Sequence, residues 1–118
     1  MTLNTRLEHI ASEEEFQNLL ENNENVMICC GRMGPMCIPV YKAMEDLKED
    51  YSHIKFVDML FDLPDARVIR DLPECRGFMG LPFTVYFKKG KVVKATTSIQ
   101  SKDEVKSILE NEFSLVTE

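Results

Sequence analysis

The sequence lacks the features that mark several functional classes. No run approaches the roughly 18 apolar residues of a membrane-spanning helix, so we predict no membrane partner. There is no excess of basic residues: 14 Lys and Arg stand against 20 Asp and Glu, and the net charge of −6 argues against a nucleic-acid partner. The first residues contain no apolar segment of a secretory signal, so we expect a cytoplasmic protein in a reducing compartment.

A metal-binding pattern is also missing. The two histidines, His9 and His53, do not have the spacing of metal ligands. The four cysteines would suffice in number for a zinc or iron–sulfur site, but an adjacent pair followed by wide gaps matches no common ligand spacing. We therefore predict that the protein holds no metal and no cofactor.

Three of the four cysteines fall within nine residues, Cys29 to Cys37, where an apolar run meets a predicted helix. The usual redox spacing, two cysteines separated by two residues, does not occur. Cys37 nevertheless lies at the start of the helix, where the dipole and unpaired backbone N–H groups stabilise a thiolate. Cys37 is therefore the first candidate for a reactive thiol. The alternative is that it is buried and inert, as a small apolar residue.

Hydrophobic periodicity predicts the element order β, α, β, α, β, α, β, β, α in one domain, residues 1–118. The apolar run Val26–Cys30 is typical of a strand buried on both faces, and capping boxes begin two of the helices, at Ser12 and Ser101. This alternation indicates an α/β fold with a mixed sheet of four or five strands and helices on both faces. The predicted strands are 26–30, 54–60, 82–87 and 92–96, with 3–10 as an edge strand or extended lead-in, and the helices are 12–22, 38–51, 64–72 and 101–113.

Three segments resemble the thioredoxin family over roughly residues 10 to 113. Glu49–Asp58 is similar to the end of that family's second helix and its central strand, and Phe87–Gly90 to its C-terminal hairpin. Arg76–Phe83 is similar to the segment that carries the family's cis-proline, here Pro82. The resemblance implies a thioredoxin-like fold. It also implies that Leu81, before that proline, offers its backbone to an extended substrate.

The active-site segment departs from the family pattern. Where the family has Trp-Cys-Gly-Pro-Cys, this chain reads Arg-Met-Gly-Pro-Met-Cys over 32–37, and it contains no tryptophan. Gly34 and Pro35 are kept, but Met33 stands where the family has its attacking cysteine. Counting back from Tyr51 places Cys37 at the family's resolving cysteine, whereas counting from Gly34-Pro35 places Met36 there. We prefer the first register, because a loop absorbs an insertion more readily than a packed helix.

Cys30 is the predicted redox partner of Cys37. A loop that contains Gly31, Gly34 and Pro35 can fold back far enough for a disulfide, whose Cα atoms lie about 4.4–6.8 Å apart. Cys29 must point to the opposite face of the strand from Cys30 and is expected in the core. Cys75 is either an exposed third thiol or a bystander at a helix end.

We therefore predict a thiol–disulfide oxidoreductase with Cys37 and Cys30 as catalytic residues and with Pro82, Leu81 and Pro35 binding the substrate. Its partners would be proteins with disulfides and an electron donor like thioredoxin reductase. The alternative is a non-catalytic binding module that lacks the attacking cysteine and binds a protein partner. In that case a methionine-rich rim and the Pro82 groove form the binding surface, unless Met33, Met36 and Met79 only fill gaps in a small core.

Overall fold

The computed structural model describes residues 3–113, so the predicted domain, 1–118, extends beyond this range at both ends. Its five strands form one mixed sheet in the order β1-β3-β2-β4-β5. Strands β1, β3 and β2 are mutually parallel, and β4 and β5 are antiparallel to their neighbours. The elements are β1 Glu8–Ile10, α1 Glu13–Asn22, β2 Asn25–Gly31, α2 Ile38–Leu47, β3 Lys55–Leu60, α3 Arg67–Arg70, β4 Phe83–Lys88, β5 Lys91–Thr97 and α4 Lys102–Glu112, with 3-10 helices at Pro64–Ala66 and Pro73–Cys75.

The two faces of the sheet carry two separate apolar cores. On what we call the α2 face, Met27 and Cys29 of β2 pack with side chains of α2 and α4. On the α1 face, Val26, Ile28 and Cys30 pack with side chains of α1 and α3. This alternation along β2 follows from the two-residue period of a strand. The prediction of a mixed sheet with helices on both faces is confirmed.

Two helices are shorter than predicted. The helix α2 ends at Leu47, and Tyr51 lies in the following turn, where its N–H donates to the Leu47 carbonyl at 3.2 Å. Residues 50–53, Asp-Tyr-Ser-His, are weak helix formers, which favours an end of the helix before them. The predicted helix 64–72 is split into a 3-10 turn and α3, and it stops before Pro73 because a residue that precedes proline avoids helical geometry. No helix within residues 3–113 combines the length and the apolarity needed to cross a bilayer.

The capping box of α4 gives a stability test. The Ser101 hydroxyl accepts a hydrogen bond from the Glu104 N–H at 3.1 Å, and the Glu104 carboxylate accepts one from the Ser101 N–H at 2.7 Å. We expect Ser101→Ala to lower the free energy of unfolding by about 1 kcal/mol, because it leaves a helix N–H without its partner. Urea denaturation measures the change. Ser107→Ala, at an exposed position inside the same helix, is the matched control and should be neutral or slightly stabilising; equal losses in both variants would contradict the account.

Candidate functional site: Cys37 beside Pro82

The candidate site is built around a missing side chain at the end of β2. A Cβ at Gly31 would lie 2.8 Å from the Cys37 sulfur, 2.8 Å from the Tyr41 hydroxyl and 3.0 Å from the Pro82 Cβ. Three chain segments therefore converge on one point: the end of β2, the start of α2 and the loop before β4. A side chain at residue 31 would occupy the space into which these segments pack. Glycine is therefore required here by the close approach of the segments and not by the backbone angles of residue 31.

The residue after this glycine is fixed by three hydrogen-bonding groups. The Arg32 N–H donates to the Cys37 sulfur at 3.4 Å, and the Arg32 carbonyl accepts from the Tyr41 hydroxyl at 3.1 Å. Its guanidinium forms a bidentate pair with the Asp62 carboxylate, at 2.8 and 2.7 Å. Arg32 thus anchors the strand end to α2 and to the segment after β3. It also directs a backbone N–H at the Cys37 sulfur.

Cys37 is the residue immediately before α2, and only 2% of its surface is exposed. The N–H groups of Cys37 and Ile38 both donate to the Gly34 carbonyl, at 3.1 and 3.0 Å. The expectation that unpaired N–H groups of this helix start would face the thiol is therefore wrong for these two groups, and the donor comes from Arg32 instead. Most residues of the loop before Cys37 are exposed, namely Arg32, Met33 and the residues 35–36.

The structure does not bring Cys30 and Cys37 together. Cys30 packs on the α1 face and Cys37 on the α2 face, with the sheet between the two cores, and all four thiols are free. Cys29, the neighbour of Cys30, shares the α2 face with Cys37, as strand alternation requires. Cys75 lies on the α1 face and is 3% exposed, so the interpretation as an exposed third thiol is wrong.

Burial suppresses ionisation of the other thiols. It raises the pKa of Cys29 well above the ordinary thiol value. A hydrogen bond from the Thr84 hydroxyl, 3.7 Å long, lowers this pKa but does not cancel the effect of burial. Burial likewise raises the pKa of Cys30 to about 12 and that of Cys75 to about 11. These three groups are therefore thiols rather than thiolates at neutral pH.

A row of buried polar side chains crosses the sheet below the site, on the α2 face. Cys29 is paired across the sheet with Asp58 of β3 and with Thr84 of β4. The Asp58 carboxylate accepts hydrogen bonds from the Thr5 hydroxyl and, at 2.6 Å, from the His9 ring. Burial raises the pKa of this carboxyl, and the two hydrogen bonds oppose the shift. The row joins the edge of the sheet to the layer beneath Cys37.

The predicted substrate-binding residues lie on two loops. The peptide bond between Leu81 and Pro82 is cis, as the resemblance implied. Pro82 is buried against Gly31, Leu81 is partly buried where the two cores meet, and Pro35 is exposed in the loop before α2. The Ser98 N–H donates to the carbonyls of both Gly80 and Pro82, which ties the segment to the residues after β5.

Exposed apolar side chains surround this end of the molecule. Met79 is 94% exposed, and Met33 and Met36 are close to half exposed, so the interpretation that these methionines fill gaps in the core is wrong. Ile99 lies beside the Gly80 segment because it follows Ser98. We call this set the apolar rim: Met33, Met36, Ile38, Met79 and Ile99. Flexible thioether side chains suit a surface that adapts to a partner.

Sequence reasoning missed the residues that hold the site together: Gly31, Arg32, Tyr41 and Asp58. The signal for Gly31 was its position at the end of a buried strand, where a glycine often marks a close approach. Asp58 was detectable as a charged residue inside a predicted buried strand. Within residues 3–113, no cluster of three or more His, Cys, Asp or Glu side chains has the geometry to hold a metal ion.

Comparisons with solved structures identify the fold. A mutant thioredoxin from Halobacterium salinarum NRC-1 superposes with a TM-score of 0.76 at 18% identity, covering 99% of each chain. Mitochondrial thioredoxin 3 from Saccharomyces cerevisiae, in its oxidised form, gives 0.73 at 18% identity over 89% of this chain and 94% of that one. A mutant thioredoxin from Entamoeba histolytica gives 0.71 at 21% identity over 89% and 98%.

These likenesses concern the backbone. No protein-family model matches the sequence, and no curated protein matches it either. The identities of 18–21% to solved structures show the fold alone. The chain therefore has the thioredoxin-like fold that the sequence predicted, with a site of its own composition at the position of Cys37 and Pro82.

Gly31→Ala tests the close approach at the site. The added methyl would lie under 3.0 Å from the Cys37 sulfur and the Tyr41 hydroxyl, so these groups must shift. We expect the free energy of unfolding, measured in urea, to fall by about 1–3 kcal/mol, the usual cost of overpacking. Gly34→Ala, in the same loop region but with no atom within 4 Å of the new methyl, is the control and should change little. Equal stability of the two variants would contradict this geometry.

Asp58→Asn tests the buried carboxyl through the pH dependence of stability. A carboxyl whose folded pKa is raised favours the folded state below its unfolded pKa of about 3.9, and this contribution is lost as pH rises through the folded value. The wild type should therefore lose more stability than Asp58→Asn as pH rises from about 4 to 7. Urea midpoints across this range measure the difference. The exposed Asp50→Asn is the control and should follow the wild type; a steeper loss in Asp58→Asn would overturn the assignment.

Proposed function

We propose that this protein exchanges thiols and disulfides with protein substrates through Cys37. The observation that carries the proposal is the position of the Cys37 sulfur, which lies at the start of α2, near Pro82 and within 3.4 Å of the Arg32 N–H. The Arg32 N–H and the N-terminal end of α2 both place partial positive charge beside this sulfur. A thiolate is the nucleophile of disulfide exchange.

In the proposed reaction the Cys37 thiolate attacks one sulfur of a substrate disulfide. The substrate S–S bond breaks, a mixed disulfide forms on Cys37, and the second substrate sulfur leaves as a thiolate that takes up a proton. Because Cys37 is 2% exposed, the groups that cover its sulfur must move aside for the attack. The backbone of Leu81 and the exposed Pro35 would then line the extended substrate.

Cys30 has no direct part in this proposal. Its separation from Cys37 by the sheet disfavours it as attacking or resolving group. The exchange chemistry therefore rests on Cys37.

The partners would be proteins with disulfides, and a dithiol reductant such as a thioredoxin-reductase-like donor would return the protein to its reduced form. A reducing compartment, which we propose to be the cytoplasm, suits a chain whose four cysteines are all free.

One observation favours a second candidate, a binding module without catalysis. The five residues of the apolar rim are exposed, while the Cys37 thiol is nearly inaccessible. Exposed methionines suit a surface that adapts to a protein partner. In this alternative a partner covers the rim and Cys37 serves only as a packed core residue.

Insulin reduction with dithiothreitol distinguishes the two candidates. We expect the purified protein to accelerate the reduction and Cys37→Ser to return the rate to that of dithiothreitol alone, because serine cannot form the mixed disulfide. The turbidity of the reduced insulin chains measures the rate.

Cys75→Ser is the matched control, since it also removes a buried thiol but on the other face of the sheet. It should keep the wild-type rate. If the wild type and Cys37→Ser both run at the background rate, the catalytic proposal fails and the binding module remains.

A further inference from the structure

We propose that Cys29 is the second thiol of this site, which resolves the mixed disulfide on Cys37. This inference rests on the proposed exchange activity and names a pairing, Cys29 with Cys37, that replaces the predicted pair of Cys30 with Cys37. It follows from which face of the sheet each thiol occupies and from the absence of a side chain at Gly31.

Cys29 and Cys37 lie on the same face of the sheet. Cys29 and Cys37 belong to the core between the sheet and the helices α2 and α4, whereas Cys30 and Cys75 belong to the opposite core. A bond between Cys30 and Cys37 would have to pass through β2, whose neighbours on both sides are hydrogen-bonded strands. A bond between Cys29 and Cys37 crosses no backbone.

The strand β2 leaves the space between Cys29 and Cys37 open. The Cys37 sulfur lies over Gly31, which is two residues from Cys29 and therefore on the same face of the strand. Residues i and i+2 of a strand are about 7 Å apart. Because Gly31 has no side chain, nothing on this strand stands between the two thiols. Because an S–S bond is about 2 Å long, Cys37 must move along the strand toward Cys29 by roughly 5 Å for the two sulfurs to bond.

The loop between β2 and α2 has room to make this shift. Residues 32–36 connect β2 to α2, and a Cβ at Gly34 would meet no atom within 4 Å, so the loop has free space around its centre. The bond from the Arg32 N–H to the Cys37 sulfur, 3.4 Å long, is the contact that must break. The same displacement uncovers Cys37 for a substrate.

The chemistry of resolution balances without a further reactant. Cys29 gives up its proton and attacks the Cys37 sulfur of the mixed disulfide; the bond from Cys37 to the substrate breaks, and the departing substrate thiolate takes up a proton. The Thr84 hydroxyl, 3.7 Å from the Cys29 sulfur, is placed to donate to the thiolate as it forms. A dithiol reductant then supplies two electrons and two protons to the Cys29–Cys37 disulfide.

Mapping of the oxidised protein tests the pairing directly. The full chain is oxidised with a glutathione redox buffer and the remaining thiols are blocked. Trypsin then separates residues 7–32, which contain Cys29 and Cys30, from residues 33–42, which contain Cys37. Mass spectrometry without reduction should show these two peptides linked in the wild type.

Two variants of adjacent residues decide which thiol forms the link. Cys30→Ser should keep the linked peptides, and Cys29→Ser, or Cys29→Ala if the serine variant melts early, should lose them. In single-turnover exchange with a protein disulfide, loss of Cys29 should also prolong the Cys37 mixed disulfide by at least about 100-fold, because an intramolecular attack is removed. Thermal melts check that each variant is folded.

The outcomes separate this inference from the proposed function. A link that persists without Cys29 and disappears without Cys30 would overturn the inference. So would a wild type with no link at all whose exchange activity still depends on Cys37, since the protein would then act through one thiol. Exchange that survives Cys37→Ser would instead overturn the proposed function.

Discussion

The site depends on the close approach of three chain segments at Gly31. The end of β2, the start of α2 and the cis-proline loop meet where this residue has no side chain, and the Cys37 sulfur occupies part of the space. Arg32 and Tyr41 fix the approach through hydrogen bonds that join the strand end to the helix. The position of Cys37 near Pro82, on which the proposed chemistry rests, follows from this packing rather than from a local cysteine motif.

The sheet determines which thiols can act together. Adjacent cysteines on a strand point to opposite sides, so Cys29 and Cys30 are neighbours in sequence but belong to different cores. Burial keeps both protonated, whereas Cys37 accepts a hydrogen bond from a backbone N–H, that of Arg32. Asp58 and Thr84 place polar groups beside Cys29 in a core that is otherwise apolar. The α2 face is thus the side of the sheet on which the proposed exchange would take place.

Much of the fold was predictable from local signals. The serine caps of α1 and α4, the buried run of β2 and the hairpin turn after β4 indicate the element order, and the resemblance around Pro82 implied its cis bond. The pairing of Cys30 with Cys37 was inferred from the length and the Gly and Pro content of the loop between them and from their place at the sheet edge. Loop length cannot tell which face of the sheet α2 will cover, because that depends on the packing of Val40, Tyr41 and Met44. The position of Asp58 beside Cys29 likewise requires strand register, which comes from long-range pairing.

The most direct measurement of the central claim is the rate at which each cysteine of the native, reduced protein reacts with iodoacetamide, followed peptide by peptide with mass spectrometry. Cys37 should react first, because it lies at the start of α2, directly after a loop with exposed residues, and accepts a hydrogen bond from the Arg32 N–H. Cys29, Cys30 and Cys75 should react no faster than the protein opens. Modification of Cys37 as slow as that of the other three thiols would contradict the account.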